Sequence, residues 1–162
     1  MPGELRRTYD VWVHEAARAA HAELSSRLEA VILYGSVARG SPTPLSDIDL
    51  LLIVDPLPKG RRARAELAER IVAGWEGERA GLPSLSLVLR TQGEVEAGFP
   101  LLLDIIHEGI VVYDPHLRAA GLLREWRKRL ETSGVRRVQH GETWHWDLGR
   151  ARPSTSGEGW EL

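Results

Sequence analysis

The chain of 162 residues contains no cysteine, which excludes disulfide bridges and metal sites built from thiolates. It has no uncharged apolar run near the roughly 18 residues that a membrane-spanning helix needs. A large charge of one sign is missing as well: the net charge of −2 gives no general attraction to nucleic acid or anionic lipid. The opening stretch MPGELRRTYDVW lacks the apolar centre of a signal peptide. These absences lead us to expect a cytoplasmic protein without membrane contact.

What the chain does contain is typical of a globular protein. Hydrophobic residues make up 43% of the sequence and charged residues 27%. This length predicts one domain over residues 1–162, with enough apolar surface to bury a core. We divide it into an expected core at 22–114 and a C-terminal extension at 115–162.

Apolar spacing predicts alternating helices and strands. The expected helices cover 8–29, 60–77, 100–109 and 115–132, and the expected strands cover 30–34, 47–54, 85–90 and 110–113. Residues 93–98 fit either a loop or a short helical turn. Residues 135–148 predict a hairpin that turns near Gly141, followed by an extended tail. The order predicts an α/β (α+β) fold: a small mixed β-sheet with helices mainly on one face, then a C-terminal helix and a β-hairpin.

Two carboxylates interrupt the most apolar segment of the chain. Asp47 and Asp49 lie in SDIDLLLIV, which otherwise predicts a buried strand. Because side chains alternate along a strand, both acids point to the same side, about 7 Å apart. Burial and mutual repulsion penalise both charges unless a cation is present. Carboxylates at this spacing can bracket two Mg²⁺ ions roughly 3.5–4 Å apart, the arrangement used for in-line phosphoryl or nucleotidyl displacement.

A turn of small residues follows the preceding predicted strand. Gly35 allows a sharp turn and a close approach of phosphate. Ser36 supplies a hydroxyl and opens a helical turn whose free N–H groups suit an anion. Arg39, one turn further on, is placed to reach a triphosphate or to pair with an aspartate. If the strands at 30–34 and 47–54 are neighbours, one end holds the triphosphate and the other holds its metal.

The stretch YGSVARGSPTPLSDIDL resembles the signature of the nucleotidyltransferases related to DNA polymerase β. In the small members of that superfamily, a Gly-Ser pair is followed by ten residues and then Asp-x-Asp, and here residues 37–46 are those ten. YGS, Arg39 and SDID are also similar to the aminoglycoside nucleotidyltransferases, and PLLLDIIHEGIVVYDP looks like the end of many such domains. The resemblance implies a polymerase β-like fold over 22–114.

The resemblance also implies a role for each matching residue. Asp47 and Asp49 would ligate Mg²⁺ or Mn²⁺, and Gly35 and Ser36 would hold the β- and γ-phosphates beside Arg39. The implied activity is transfer of a nucleoside monophosphate from an NTP, with ATP as the expected donor, to an acceptor that the sequence does not name. Small members often act beside an all-helical partner protein, and such a partner is expected here.

One acid of the family's site has no evident counterpart. Many active members carry a third acid on a later strand, and here the strand SLSLVLR holds Ser84 and Ser86 at the corresponding positions. Asp104, on the helix beside that strand, is the candidate substitute, ahead of Glu94 and Glu96. The missing acid predicts weak metal binding without nucleotide and slow turnover.

Three functions fit the chain: the enzyme, a nucleotide-binding or antitoxin-like module without turnover, and an RNA-binding protein. The last rests on the basic face from Arg124 to Arg137, which is more often a solvated helix surface. Gly35 and Ser36 by themselves equally fit an ordinary turn, and Arg39 equally fits a structural ion pair. The six histidines lack metal-binding spacing, and we interpret the tryptophans of TWHWDL as core or interface anchors rather than as a base-stacking platform.

Overall fold

The computed structural model describes residues 2–77, 79–141, 143–149, 152–153 and 160–161. The helices are α1 (Pro2–Leu24), α2 (Gly35–Ala38), α3 (Arg61–Glu76), α4 (Gln92–Ala97), α5 (Leu102–Glu108) and α6 (Arg118–Ser133). The strands are β1 (Leu28–Tyr34), β2 (Ile48–Val54), β3 (Leu85–Arg90), β4 (Ile110–Tyr113), β5 (Arg136–His140), β6 (Thr143–Asp147), β7 (Arg152–Pro153) and β8 (Trp160–Glu161). Within these residues, no helix has the length and apolar character needed to cross a membrane.

Four strands form the central sheet in the order β3-β2-β1-β4. β1 runs antiparallel to β2 and β4, while β2 runs parallel to β3, so the sheet is mixed as predicted. β1 and β2 pair from Leu28 opposite Val54 to Tyr34 opposite Asp49. The predicted α/β (α+β) fold is therefore confirmed, and the end of β1 lies beside the start of β2.

Helices cover both faces of this sheet. Val31 and Leu52 belong to a core cluster with α1 and α3, whereas Ile32 and Leu51 belong to a second cluster with α4, α5 and α6. The prediction that the helices lie mainly on one face is therefore wrong. The physical reason is visible in β1 and β2, which are apolar on both sides and so need a cover on both.

Two regions differ most clearly from the sequence prediction. α1 begins at Pro2 and ends before Ser25, whose φ of 52° breaks the helix, so residues 28–29 join β1. The segment 93–98 lies mostly in the helix α4. Thr91 and Glu94 explain this, because each side chain accepts a hydrogen bond from the other residue's backbone N–H, a reciprocal cap for the first turn.

The C-terminal extension adds α6 and the predicted hairpin. β5 and β6 pair from Arg136 opposite Asp147 to His140 opposite Thr143. β7 and β8 form a two-residue ladder, and the rest of the predicted extended tail lies outside the described residues. Through Trp146, whose Nε1 donates a hydrogen bond of 3.0 Å to Asp104, the hairpin is fastened to α5.

Candidate active site

The two aspartates of the motif lie at the start of β2. Asp47 is exposed and immediately precedes the strand, and Asp49 is the second residue of the strand and is partly buried. Asp49 pairs with Tyr34 across the antiparallel ladder and with Ser86 across the parallel one. The strand accepts an acid here because residues such as Ile48, on its other face, are fully buried and anchor it in the apolar core.

Burial raises the pKa of the Asp49 carboxyl above its ordinary value. The nearby charges of Asp47 and Glu108 raise this pKa further, whereas a hydrogen bond with Ser86 and the positive charge of Arg39 lower it. These surroundings therefore disfavour the ionised form of Asp49. A divalent cation would remove this penalty, because an opposite charge favours the carboxylate.

Gly35 lies directly against Asp49. Its backbone has a φ of 76°, a conformation that residues other than glycine rarely adopt. A Cβ at this position would overlap Oδ2 of Asp49, so only glycine fits. The first half of the motif is thus in contact with the second half through the backbone of Gly35.

Ser36 lies in α2, and Arg39 immediately follows this four-residue helix. The loop from there to Asp47 is fastened to α1 by Tyr9, whose hydroxyl lies 2.7 Å from the carbonyl oxygen of Ser46. Because Tyr9 is 1% exposed, this anchor belongs to the core. The end of the loop that leads into Asp47 is therefore anchored to α1.

Glu108 is an acid of this site that the sequence analysis missed. Its Oε1 accepts hydrogen bonds from the N–H of Gly35 at 2.9 Å and from Nη1 of Arg39 at 2.7 Å. Its side chain is 6% exposed, although it stands at the end of α5. A usable signal was present in the sequence: Asp104 and Glu108 are four residues apart and so share one face of a helix.

Asp104, the predicted substitute for the third acid, also lies on α5 and accepts the hydrogen bond from Trp146. Burial, the charge of Asp49 and the charge of Asp104 raise the pKa of Tyr34 to about 12. Tyr34 is thus influenced by both carboxylates. Asp104 belongs to the surroundings of the site, and its side chain accepts a hydrogen bond from Trp146 of the hairpin.

The remaining sequence candidates fall into two groups. Ser86 lies beside Asp49 on β3, at the place where a third acid would share its face. Glu94 pairs with Arg64 at 2.8 Å and caps α4, and Glu96 accepts a hydrogen bond within the same helix. The two glutamates are therefore engaged elsewhere.

The donor set fits Mg²⁺ in company with a nucleotide. Asp47 and Asp49 supply two carboxylates, and the described residues contain no group of three or more side chains that could hold a metal ion by themselves. Mg²⁺ usually binds one or two carboxylates and completes its shell with water and phosphate oxygens. The site thus suits a metal that arrives with a triphosphate.

Comparison with known proteins gives a family match. The family model described as "Nucleotidyltransferase domain" matches residues 16–113. No curated protein matches the chain.

Solved structures give distant likenesses. A putative nucleotidyltransferase from Sulfolobus solfataricus is 18% identical with a TM-score of 0.48, and the match covers 68% of this chain and 87% of that one. A toxin–antitoxin crystal structure with AMP-PNP is 15% identical with a TM-score of 0.45, and the match covers 74% of this chain and 93% of that one.

The contact between Gly35 and Asp49 predicts the effect of a single methyl group. Gly35→Ala should lose Mg²⁺–ATP affinity and destabilise the fold by more than the ~1–2 kcal/mol that the left-handed backbone alone costs, because Asp49 must move. The matched control is Gly81→Ala, since Gly81 has a φ of 79° and nothing within 4 Å of an added Cβ. Chemical denaturation and calorimetric titration measure both effects. Equal destabilisation of the two variants with unchanged nucleotide affinity would contradict the assignment.

The raised pKa of Asp49 predicts a pH-dependent cost to the metal-free fold. The ionised Asp49 carboxylate lowers the free energy of unfolding at pH values above its pKa in the folded state. This loss of stability disappears as the pH falls toward the ordinary pKa of 3.8. With EDTA at pH 7, Asp49→Asn should melt higher than wild type, by roughly 2–4 °C for each ~1 kcal/mol relieved. The difference should shrink as the pH is lowered to about 4.

The control for this measurement is Asp10→Asn, which removes an exposed carboxylate of α1. It should melt like wild type throughout the same pH range. A melting temperature of Asp49→Asn at or below that of wild type at pH 7 would show that the charge of Asp49 carries no such cost.

Proposed function

Because the chain belongs to the nucleotidyltransferase domain family, we propose that it transfers a nucleoside monophosphate from a nucleoside triphosphate to an acceptor. The observation that carries the proposal is the contact between the Asp49 carboxylate and the backbone of Gly35. This contact joins the acid that we propose as a metal ligand to the turn that begins the Gly-Ser half of the motif. A structural turn alone would not need a partly buried carboxylate against it.

We assign the chain's own residues as follows. Asp47 and Asp49 would hold Mg²⁺, whose chemistry is to neutralise phosphate charge and orient the α-phosphate. The hydroxyl of Ser36 and the guanidinium of Arg39 would bind the β- and γ-phosphates beside the backbone of Gly35. An acceptor oxygen attacks the α-phosphorus, the bond to pyrophosphate breaks, and the acceptor proton passes to a base. Arg39 then stabilises the negative charge of the leaving pyrophosphate.

The proposal can be extended to the nucleotide that donates the nucleoside monophosphate and to the group that accepts it. We propose ATP as the donor and AMP as the transferred group, on the strength of the motif's resemblance. A hydroxyl of a small molecule, of an RNA end or of a protein side chain can serve as acceptor. A protein acceptor would fit the expected all-helical partner.

A binding module without turnover is the second candidate, and Ser86 is the observation that favours it. Ser86 occupies the position beside Asp49 where a third carboxylate would accept the acceptor's proton. RNA binding has less support, because Arg127 of the basic face is committed to the carbonyl oxygens of Ile106 and Gly109 at 2.8 Å each. Arg137 of that face pairs with Glu108.

Replacing either proposed metal ligand, Asp47 or Asp49, should weaken Mg²⁺-dependent nucleotide binding. Changes outside the first coordination shell typically cost ~10–100-fold in metal affinity, so Asp47→Asn and Asp49→Asn should each cost ~100-fold or more in Mg²⁺-dependent nucleotide binding. The purified chain, Mg²⁺ and cell lysate are incubated with NTPs labelled at the α-phosphate, and label on protein, RNA and small molecules is separated. Asp10→Asn should transfer label like wild type. Unchanged Mg²⁺–NTP affinity in both aspartate variants would refute the site.

Asp104 can be tested without disturbing its contact with the hairpin. In Asp104→Asn the amide oxygen still accepts the hydrogen bond from Trp146, while the basic carboxylate is gone. If Asp104 accepts the acceptor's proton, the transfer rate should fall by ~10²–10⁴-fold with nearly unchanged NTP affinity. Single-turnover rates and calorimetry separate the two quantities. A normal rate would remove Asp104 from the chemistry and would leave the acceptor's proton to another base.

A further inference from the structure

The buried carboxylate of Glu108 joins the proposed phosphate site to a part of the chain beyond the family match. Its Oε1 accepts hydrogen bonds from the N–H of Gly35 and from the guanidinium of Arg39. Its other oxygen, Oε2, lies 3.6 Å from Nη1 of Arg137, on β5. The family match ends at residue 113, so Arg137 belongs to the added C-terminal extension.

The ring of Trp144, on β6, contacts the guanidinium groups of both Arg39 and Arg137. The guanidinium carbon of Arg137 lies 3.8 Å from the centre of the Trp144 ring, and that of Arg39 lies 4.8 Å from it. Both distances are within the range of a cation–π attraction. We call Glu108, Arg39, Arg137 and Trp144 the Glu108 cluster.

Resting on the proposed function, we propose that Glu108 is a positioning residue for the phosphate site, held in place by the C-terminal hairpin. Its carboxylate fixes the backbone of Gly35 and the direction of the Arg39 guanidinium before any nucleotide binds. Arg137 and Trp144 keep that carboxylate and that guanidinium together. The hairpin is therefore part of the nucleotide site rather than an independent appendage.

The donors of Arg39 fit this role. Its side chain is 29% exposed, and only Nη1 bonds to Glu108. A guanidinium has five N–H donors in a rigid fork, so Arg39 keeps donors for a phosphate while Glu108 holds its orientation. A side chain that is fixed in advance loses less conformational entropy when the ligand arrives.

Burial argues against Glu108 as a competitor of the phosphate. A side chain that is 6% exposed, bonded to a backbone N–H and placed between two arginines cannot leave without stranding buried charges. Arg137 acts on Glu108 through its charge. Its Nε and Nη2, like Oε2 of Glu108, are closed off from solvent and make no hydrogen bond among the described residues, and the two side chains are joined by the 3.6 Å ion pair.

The test uses Glu108→Gln in the full chain, because glutamine keeps an oxygen that can accept from Gly35 and Arg39 while it loses the negative charge and replaces the second oxygen with an NH₂ donor. Calorimetry measures the binding of Mg²⁺ with a non-hydrolysable ATP analogue, and of Mg²⁺ with tripolyphosphate, which carries no base. We expect affinity for both probes to fall about tenfold, since an uncharged amide oxygen holds the Arg39 guanidinium more weakly than the carboxylate does. Circular dichroism confirms that each variant is folded at the temperature of the titration.

A double-mutant cycle separates positioning from a general structural role. Arg39→Gln should weaken binding by ~10–100-fold, as expected for lost hydrogen bonds to a charged group. If Glu108 acts through Arg39, the double variant should bind no more weakly than Arg39→Gln alone. A loss that arises only from a damaged fold would instead add to the loss from Arg39.

The hairpin offers a matched pair of variants that does not depend on Glu108→Gln being folded. Arg137→Gln should weaken binding of both probes several-fold, whereas Arg136→Gln should leave it within twofold. The two residues are neighbours on β5 and lose the same charge, but Arg136 is exposed and Arg137 is 16% exposed. The comparison therefore isolates the contact with the Glu108 cluster from the loss of positive charge.

Three results would overturn the proposal. Wild-type affinity in folded Glu108→Gln and Arg137→Gln would show that neither residue positions the site. Tighter binding in Glu108→Gln would show that Glu108 competes with phosphate for Gly35 and Arg39. Additive losses in the double variant would show that Glu108 does not act through Arg39. A wild-type chain that binds neither probe overturns the proposed function itself, and this outcome is seen before any variant is compared.

Discussion

The carboxylate of Asp49 lies so close to the backbone of Gly35 that no side chain fits between them. This contact requires β1 and β2 to be neighbours in one register, since a shift by one residue would turn Asp49 into the opposite core. The apolar residues on both faces of these strands enforce that register. The geometry of the polar site is thus a consequence of how the apolar core packs.

Negative and positive side chains lie together around the contact between Asp49 and Gly35. Asp47, Asp49 and Glu108 bring three negative charges into a small volume, and Arg39 and Arg137 return two positive ones. What remains is a modest negative excess next to a partly buried carboxylate. Such a balance suits a cation that brings its own phosphate ligands, because neither group alone finds a complete set of partners in the protein.

The helices on the two faces of the sheet position different parts of the site. α1 and α3 cover the face opposite Asp49, and α1 also fastens the loop before Asp47 through Tyr9. α5 lies on the face of Asp49 and brings Glu108 to Gly35, and the hairpin leans on α5 through the bond from Trp146. The N-terminal helix and the C-terminal hairpin thereby brace the motif from two sides.

The sequence by itself determined the mixed fold, most helix and strand positions, and the motif from Gly35 to Asp49, because these follow from local spacing and from residue types with few physical uses. It did not determine which face a helix covers, and the expectation of helices mainly on one face was wrong for that reason. The spacing from Asp104 was a signal for Glu108, but the contact of Glu108 with Gly35 was out of reach, since the two residues are 73 positions apart and meet only through packing. Local patterns fix elements and chemistry, whereas burial of two apolar sheet faces decides which distant residues touch.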